Sequence, residues 1–186
     1  DSWERRQADL AAGKTGKQAT GVSAKRETVL DLPLTAYQKW KELLIKGFWQ
    51  AAKFLRHESF FTTNDLPYRT QLVPLAAILT GLGDRWLEQK VNEKLARWYW
   101  CGVLGELYGG AVETRFALDL QGVMEWMDGS EMEPATVRDA SFQPARLETL
   151  RTRGSAAYKG LHVLLQRDGA LDFFLKSRIR DLDETD

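Results

Sequence analysis

Residues 13–15 are the first in the chain whose types suggest chemistry. Gly13-Lys14-Thr15 ends like a phosphate-binding loop, in which backbone amides and a lysine surround the phosphates of a nucleotide. The complete loop needs a strand in front of it and a glycine five residues before Gly13. Ala8 holds that position, and a helical pattern precedes it. A flexible linker is therefore the preferred interpretation of this segment.

Nucleophilic catalysis would depend on the few cysteine and histidine residues. Cys101, the single cysteine, lies in the most apolar helical pattern, where thiols usually pack, and it could act as a nucleophile only beside a base. His57 falls at a predicted helix end, where a cation interacts favourably with the helix dipole, and His162 lies between apolar neighbours. We interpret all three as structural and keep an autonomous hydrolase that uses Cys101 or His162 as an alternative.

The composition argues against several classes of protein. The 186 residues include 26 basic and 26 acidic side chains, so a globally basic nucleic-acid-binding domain is not expected. One cysteine and two histidines can form neither an internal disulfide nor a four-ligand zinc site. No run of about 18 apolar residues predicts a membrane span, and the charged N-terminus does not resemble a signal peptide. The lone thiol favours a cytoplasmic protein, and both chain ends look cut out of something longer.

Two stretches could contact nucleic acid. Trp98-Tyr99-Trp100 could stack on bases, but its apolar surroundings favour core aromatics. Residues 138–180 hold nine positive and four negative side chains, which gives a local charge of +5. This basic stretch is interpreted either as a solvated charged face or as a surface that contacts the phosphates of DNA or of a nucleotide held by a neighbouring domain.

Helical spacing of apolar residues predicts an all-α fold, a multi-helix orthogonal bundle with at most one or two short strands. Thr35 and Gln38 form a capping-box pattern at one helix start, and Ser155 is a good N-cap for the last helix. The spacing of apolar residues on these helices predicts that Asp119 faces outward and that Leu165 faces inward. The predicted helices are 2–12, about 35–57, about 72–82, 84–108 as the longest, 111–127, one from Pro144 to about Arg153, and a last one ending at Gly169, with extended segments at 29–34 and 136–137.

Three parts are expected along the chain. Residues 1–21 would form an N-terminal helix and a flexible connection, 22–176 the helical domain, and 177–186 a charged tail that leads to a missing C-terminal domain. Within the domain, the helical pattern over 84–108 is apolar on all sides from Leu95 to Tyr108, where only Arg97 and Glu106 are charged. Such a helix is normally the buried centre of its fold.

Four stretches of the chain follow one another in a distinctive order: 65–76 (DLPYRTQLVPLA), 97–100 (RWYW), 107–115 (LYGGAVETR) and 153–173, which contains RGSAAYKGL and GALDF. Together they resemble the central helical region of GmrSD-type proteins, the modification-dependent (type IV) restriction systems of bacteria. The resemblance covers nearly the whole chain, from Trp3 to about Phe173.

The resemblance implies an architecture larger than this chain. Full-length members carry an N-terminal ParB-like domain that binds and hydrolyses a nucleoside triphosphate. They usually end in an HNH nuclease domain, which uses a divalent metal ion to cut DNA that carries modified bases. This sequence contains neither catalytic motif. It also departs from the family at 109–112, where members usually carry small hydroxyl residues and this chain has GGAV.

From the resemblance we expect a non-catalytic helical scaffold of an antiphage protein, with the ParB-like and HNH domains and DNA as partners. The nucleotide and the metal ion would belong to those domains, so no cofactor or metal site is expected in this chain. A stand-alone nucleic-acid-binding domain that uses residues 138–180 is the alternative. The expected DNA or partner contacts, whose alternative role is capping or buried hydrogen bonding, are Tyr68, Arg69, Gln71, Arg115, Arg151, Arg153, Ser155 and Lys159.

Overall fold

The structure, a computed structural model, describes residues 1–171 and Phe174, and their regular secondary structure is helical. The predicted all-α fold is confirmed. Its helices are α1 (Ser2–Ala11), α2 (Arg26–Leu30), α3 (Leu34–His57), α4 (Leu72–Leu82), α5 (Gln89–Leu104), α6 (Glu113–Met127), α7 (Ala135–Asp139), α8 (Arg146–Thr149) and α9 (Ala156–Arg167). None of these helices has the length and apolar character needed to cross a membrane. The charged tail predicted at 177–186, and the last three cations of the basic stretch, lie outside the described residues.

The helix α5 lies at the centre of the bundle, as its apolar pattern predicts. It contacts α6, α7 and α9, while α3 packs along α4 and α4 packs on α6. Trp98 and Tyr99 are fully buried, and Trp100 is nearly so. The ring of Tyr99 meets that of Phe54 edge-on, with 5.9 Å between the ring centroids. The interpretation of this aromatic run as core packing is confirmed.

A glycine allows α9 to approach α5 closely. A Cβ atom on Gly160 would lie 2.6 Å from Cγ1 of Val103, so the helices touch at this position. The buried face of α9 consists of Ala157, Gly160, Val163 and Gln166. Leu165 is 54% exposed. Its predicted inward position is wrong because α9 packs through its smaller residues.

The start of α3 differs from the prediction. The helix begins directly after Pro33, which is its N-cap in an extended conformation, and no side-chain cap hydrogen bond forms. Thr35 therefore lies inside the first turn, and the predicted capping box of Thr35 and Gln38 is wrong. The extended segment predicted at 29–34 is also wrong. Its first two residues, Val29 and Leu30, are the last two residues of α2, and both side chains are exposed.

The helix predicted from 84 to 108 is divided. Gly83 has a φ of +58°, a 3-10 turn continues to Leu87, and Glu88 is extended before α5 begins. The helix α5 is thus 16 residues long, and α3, with 24 residues, is the longest helix in the described part of the chain. The helical spacing of apolar residues does not indicate this break, because Trp86 and Leu87 continue the apolar pattern across the turn.

Two short segments near the basic stretch also differ from the predictions. Thr136 and Val137, predicted to be extended, lie in α7, where the Val137 amide donates to the Pro134 carbonyl at 2.9 Å. This hydrogen bond closes a single helical turn after the proline. The helix expected from Pro144 to about Arg153 is reduced to α8.

Candidate anion-binding pocket at the last helix

An open pocket of about 370 Å³ lies between α9 and the loop that follows α3. Its lining consists of Arg153, Tyr158, Lys159, His162 and Val163 on the α9 side and of Asn64 and Asp65 on the loop side. Arg153 and Lys159 are two of the predicted contact residues. The structure therefore brings two cations of the basic stretch and one histidine to a single concave surface.

Ser155 positions the α9 side of this pocket. It is the N-cap of α9, as predicted, and its Oγ accepts the backbone N–H of Tyr158 at 3.3 Å. The cap sets where the first helical turn begins. Tyr158, Lys159 and His162 then face the same side, because residues three and four apart are neighbours on a helix surface.

Asp65 shapes the loop side of the pocket. Its Oδ2 accepts the backbone N–H and the hydroxyl of Thr62, at 2.7 and 3.0 Å. Across the pocket, Nζ of Lys159 donates to the carbonyl oxygen of Leu66 at 3.4 Å. This contact joins α9 to the loop although the two residues lie 93 positions apart.

The pocket carries an excess of positive charge. Arg153 and Lys159 form no ion pair with a carboxylate of the described residues, and His162 lies with them in the lining. Of the described residues that line the pocket, only Asp65 is a carboxylate, and its Oδ2 accepts hydrogen bonds from Thr62. An anion that enters the pocket would therefore meet cations whose charge is not neutralised by an ion pair.

Other cations of the basic stretch are already paired. Arg146 lies 3.2 Å from a carboxylate oxygen of Glu106, and Arg167 lies 2.6 Å from one of Glu58. The stretch is thus not a uniformly basic face over the residues described here. Two of its cations that form no ion pair with the described residues, Arg153 and Lys159, line the pocket.

Three other predicted contact residues lie at or near the surface. Arg69 reaches the pocket rim, where its Nη2 donates to Oδ1 of Asn64 at 3.4 Å. Arg151 is exposed, two residues before the arginine that lines the pocket. Tyr68 is half-buried with its ring centroid 6.4 Å from that of Tyr108, and burial raises the pKa of its hydroxyl.

Gln71 and Arg115 make internal contacts away from the pocket. Gln71 is fully buried, and its Nε2 donates to the carbonyl oxygen of Tyr99 at 3.0 Å. Arg115 joins α6 to α7, because it donates to Oγ1 of Thr136 at 2.9 Å and to Oδ2 of Asp139 at 3.3 Å. These contacts correspond to the alternative role of hydrogen bonding within the fold.

Asp119 is a buried carboxylate that the sequence analysis placed on the outer face, and that prediction is wrong. It is fully buried and accepts the hydroxyl of Tyr108 and, at 2.7 Å, the hydroxyl of Thr136. Burial raises the pKa of its carboxyl, although the two donors act in the opposite direction. Its spacing of three and four residues from Phe116 and Val123 is the signal that could have indicated burial. The network joins α6, α7 and the turn after α5.

Two residues that suggested chemistry have other surroundings in the fold. Cys101 is half-buried, and burial raises the pKa of its thiol. Lys14 donates to Oδ1 of Asp9 at 2.7 Å, and the other oxygen of that carboxylate accepts the amide and hydroxyl of Thr20. These donors hold the pKa of Asp9 well below its usual range. Within residues 1–171 and 174, no group of three His, Cys, Asp or Glu side chains could hold a metal ion.

Comparison with known proteins relates this chain to an uncharacterized protein of Methanocaldococcus jannaschii. The two are 26% identical over 91 residues, which are 47% of this chain and 16% of the archaeal protein. The match thus spans less than a fifth of the relative's length. No family model and no solved structure matches the chain.

Proposed function

We propose that this chain is a non-catalytic helical module of a larger protein, of the GmrSD type that its sequence resembles, and that it contacts DNA phosphates through the pocket at α9. The convergence of Arg153, Lys159 and His162 on one pocket carries the proposal. Arginine and lysine donate charge-assisted hydrogen bonds to phosphate oxygens, and this contact is independent of base sequence. The match to a small part of a much longer archaeal protein supports a module within a larger chain.

In the parent protein this module would hold the nucleotide-hydrolysing domain and the nuclease domain in register. The nucleotide and the divalent metal would be bound by those domains. The flanking coding sequence tests this part of the proposal. An HNH motif shortly downstream supports it, and a stop codon directly after Asp186 contradicts it.

DNA contact is tested by titrating the chain with a double-stranded oligonucleotide at salt concentrations of about 50 to 200 mM. The affinity for DNA should fall as the salt concentration rises, because lysine and arginine side chains that bind phosphates displace counterions from the DNA. Each phosphate-contacting cation that is removed should reduce the salt slope by about 1. We therefore expect Arg153→Ala with Lys159→Ala to reduce the slope by about 2 and to weaken binding to all sequences alike.

A matched control separates the pocket from general charge attraction. Lys17→Ala with Arg26→Ala removes two positive charges from exposed positions in the N-terminal part of the chain. This control should leave the slope nearly unchanged. Equal losses in both variants contradict the pocket as the contact site, and no binding of the original chain at low salt contradicts DNA contact altogether.

A stand-alone nucleic-acid-binding domain is the second candidate, because Arg153 and Lys159 of the basic stretch converge on one pocket within this chain. The variant Arg151→Ala with Arg153→Ala should then remove most of the binding of the isolated chain. The two candidates differ when the flanking domains are added. If the chain alone binds DNA as tightly as the longer protein, the stand-alone domain is favoured.

A further inference from the structure

A second concave surface, of about 410 Å³, lies along the C-terminal half of α3, and we name it the α3 groove. One wall, formed by α3, includes Phe48, Trp49, Lys53 and Arg56, and the opposite wall includes Phe61. Phe48 is 48% exposed and Trp49 is 66% exposed. Contiguous exposed apolar residues rimmed by polar ones usually mark a site of interaction.

The exposed apolar residues that α3 contributes to the groove, Phe48 and Trp49, do not belong to its buried face. The face of α3 that is buried in the bundle consists of Gly47, Gln50, Ala51, Phe54 and Leu55. Ile45, Phe48 and Trp49 lie outside this face and remain 44% to 66% exposed. The helix is therefore apolar on two faces, and only one of them is covered by the described residues.

The charge beside the groove indicates the chemistry of what would cover it. The helix α3 carries five lysine or arginine side chains and a single carboxylate. Towards its N-terminal end, Lys39, Lys41 and Lys46 each have a carboxylate partner. The two cations in the groove wall, Lys53 and Arg56, form no ion pair with the described residues, and the Arg56 guanidinium lies 5.9 Å from the centre of the Phe61 ring.

A second copy of this chain is a poor occupant of the groove. In a symmetric dimer each copy presents the same patch, so the patch that holds Lys53 and Arg56 would face a second patch with the same positive charge. Like charges placed against each other disfavour such an interface. An occupant that combines an apolar face with acidic side chains fits both the rings and the unpaired cations.

We propose that the α3 groove binds a partner helix whose apolar face covers Phe48 and Trp49 and whose acidic side chains pair with Lys53 and Arg56. A helix laid in a groove is recognised through apolar residues spaced three and four positions apart. The exposed apolar positions of α3 run along the helix with similar spacing, which gives the two helices a common line of contact. This proposal is independent of the DNA contact at α9.

The test uses two synthetic amphipathic peptides with the same leucine spacing, one with glutamate and the other with lysine at every polar position. Binding of each fluorescently labelled peptide is followed by anisotropy as the intact chain is added. We expect the glutamate peptide to bind at least about tenfold more tightly than the lysine peptide, because only its charges complement the groove.

Variants on the groove should change this preference. Lys53→Glu with Arg56→Glu should remove or reverse the preference for the glutamate peptide. Trp49→Ala should weaken the binding of that peptide by at least about tenfold, since a central aromatic residue often dominates an interface. All three positions are exposed, so the variants should keep the circular dichroism and unfolding midpoint of the original chain. The matched control, Lys17→Glu with Arg26→Glu, reverses two charges at exposed positions on other elements and should leave the preference intact.

Three results of the peptide experiments would overturn the proposal. They are failure of the glutamate peptide to bind, equal binding of both peptides, and binding that is insensitive to Trp49→Ala. Self-association in sedimentation velocity that disappears in Trp49→Ala would assign the groove to a second copy and would also overturn it. None of these outcomes bears on the DNA titration, so the two proposals can fail separately.

Discussion

Arg167, the last residue of α9, donates from Nη1 to Oε2 of Glu58 at 2.6 Å, although 109 residues separate the two in the sequence. The same carboxylate oxygen accepts the indole N–H of Trp100 at 2.7 Å. The side chain of Glu58 is 6% exposed. A buried carboxylate with two donors, one of them cationic, joins the end of α3 to both α5 and α9.

Loss of the arginine should destabilise the fold measurably. We expect Arg167→Ala to lower the free energy of unfolding by about 1 to 2 kcal/mol, since a hydrogen bond to a charged group is lost and the carboxylate stays buried. The value lies at the lower end of the usual range because Arg167 is itself 46% exposed and screened by solvent. Urea denaturation at neutral pH measures the change.

Arg5→Ala is the matched control for this ion pair. The Arg5 side chain is 58% exposed and lies 2.7 Å from Asp1, so its loss should cost less than about 1 kcal/mol. If both variants lost the same free energy of unfolding, burial of Glu58 would not determine the strength of its contact.

The crossing of α3 and α4 depends on Gly47. A Cβ atom at this position would lie 2.6 Å from the Ala76 carbonyl oxygen and would also meet Oγ1 of Thr80. Helix propensity favours alanine over glycine by about 1 kcal/mol, whereas overpacking costs about 1 to 3 kcal/mol. The backbone oxygen belongs to a packed helix and cannot move independently, so we expect Gly47→Ala to destabilise the protein.

Thermal or urea unfolding of Gly47→Ala beside Gly110→Ala checks this expectation. No atom lies within 4 Å of the position that a Cβ atom on Gly110 would occupy. The Gly110 variant should therefore change the free energy of unfolding by less than about 1 kcal/mol. A stabilised Gly47→Ala variant would mean that α4 can shift away at little cost.

The helices that could be predicted best are those whose apolar pattern reflects their burial. The pattern of α5 indicated the centre of the fold, because Trp98 and Tyr99 are buried on a helix that contacts α6, α7 and α9. Asp119 shows the opposite case. The sequence places this charged residue on the solvent-facing side of α6, although it is buried. Its hydrogen-bond donors come from the turn after α5 and from α7, so the sequence of α6 alone does not indicate them.

The pocket could be predicted only in part for the same reason. Arg153 and Lys159 stand out because they belong to a basic stretch beside a good N-cap. Asn64 and Asp65 on the opposite wall carry no local signal, because their meeting with α9 depends on packing between segments about 90 residues apart. The exposure of Phe48 and Trp49 was also hidden, since helical periodicity does not distinguish an apolar face that packs from one that remains uncovered.

The buried carboxylate of Asp119 should make stability depend on pH. Burial raises its pKa in the folded protein above the value in the unfolded chain, so the folded state binds more protons between the two pKa values. The contribution of Asp119 to the free energy of unfolding therefore decreases as the pH rises through that window. We expect Asp119→Asn to gain stability relative to the original chain as the pH rises above about 3.9, the usual pKa of an aspartate, towards the raised pKa of the folded state.

Urea denaturation of both proteins at several pH values measures this difference. The control is Asp31→Asn, because Asp31 is exposed and accepts no side-chain hydrogen bond from a described residue. A difference between Asp119→Asn and the original chain that stays constant across the pH range would contradict a raised pKa at this position.

The thiol of Cys101 should react slowly in the folded protein. It is half-buried, burial raises its pKa, and the charged groups that act on it are those of Arg97 and Glu133 rather than a histidine. Because the thiolate is the reactive form, we expect disulfide-reagent labelling at neutral pH to be at least about tenfold slower than in the urea-unfolded chain. His162→Ala should leave the rate unchanged, since His162 lines the pocket at α9 and Cys101 does not. Faster labelling of the folded protein, lost in His162→Ala, would instead support the autonomous hydrolase.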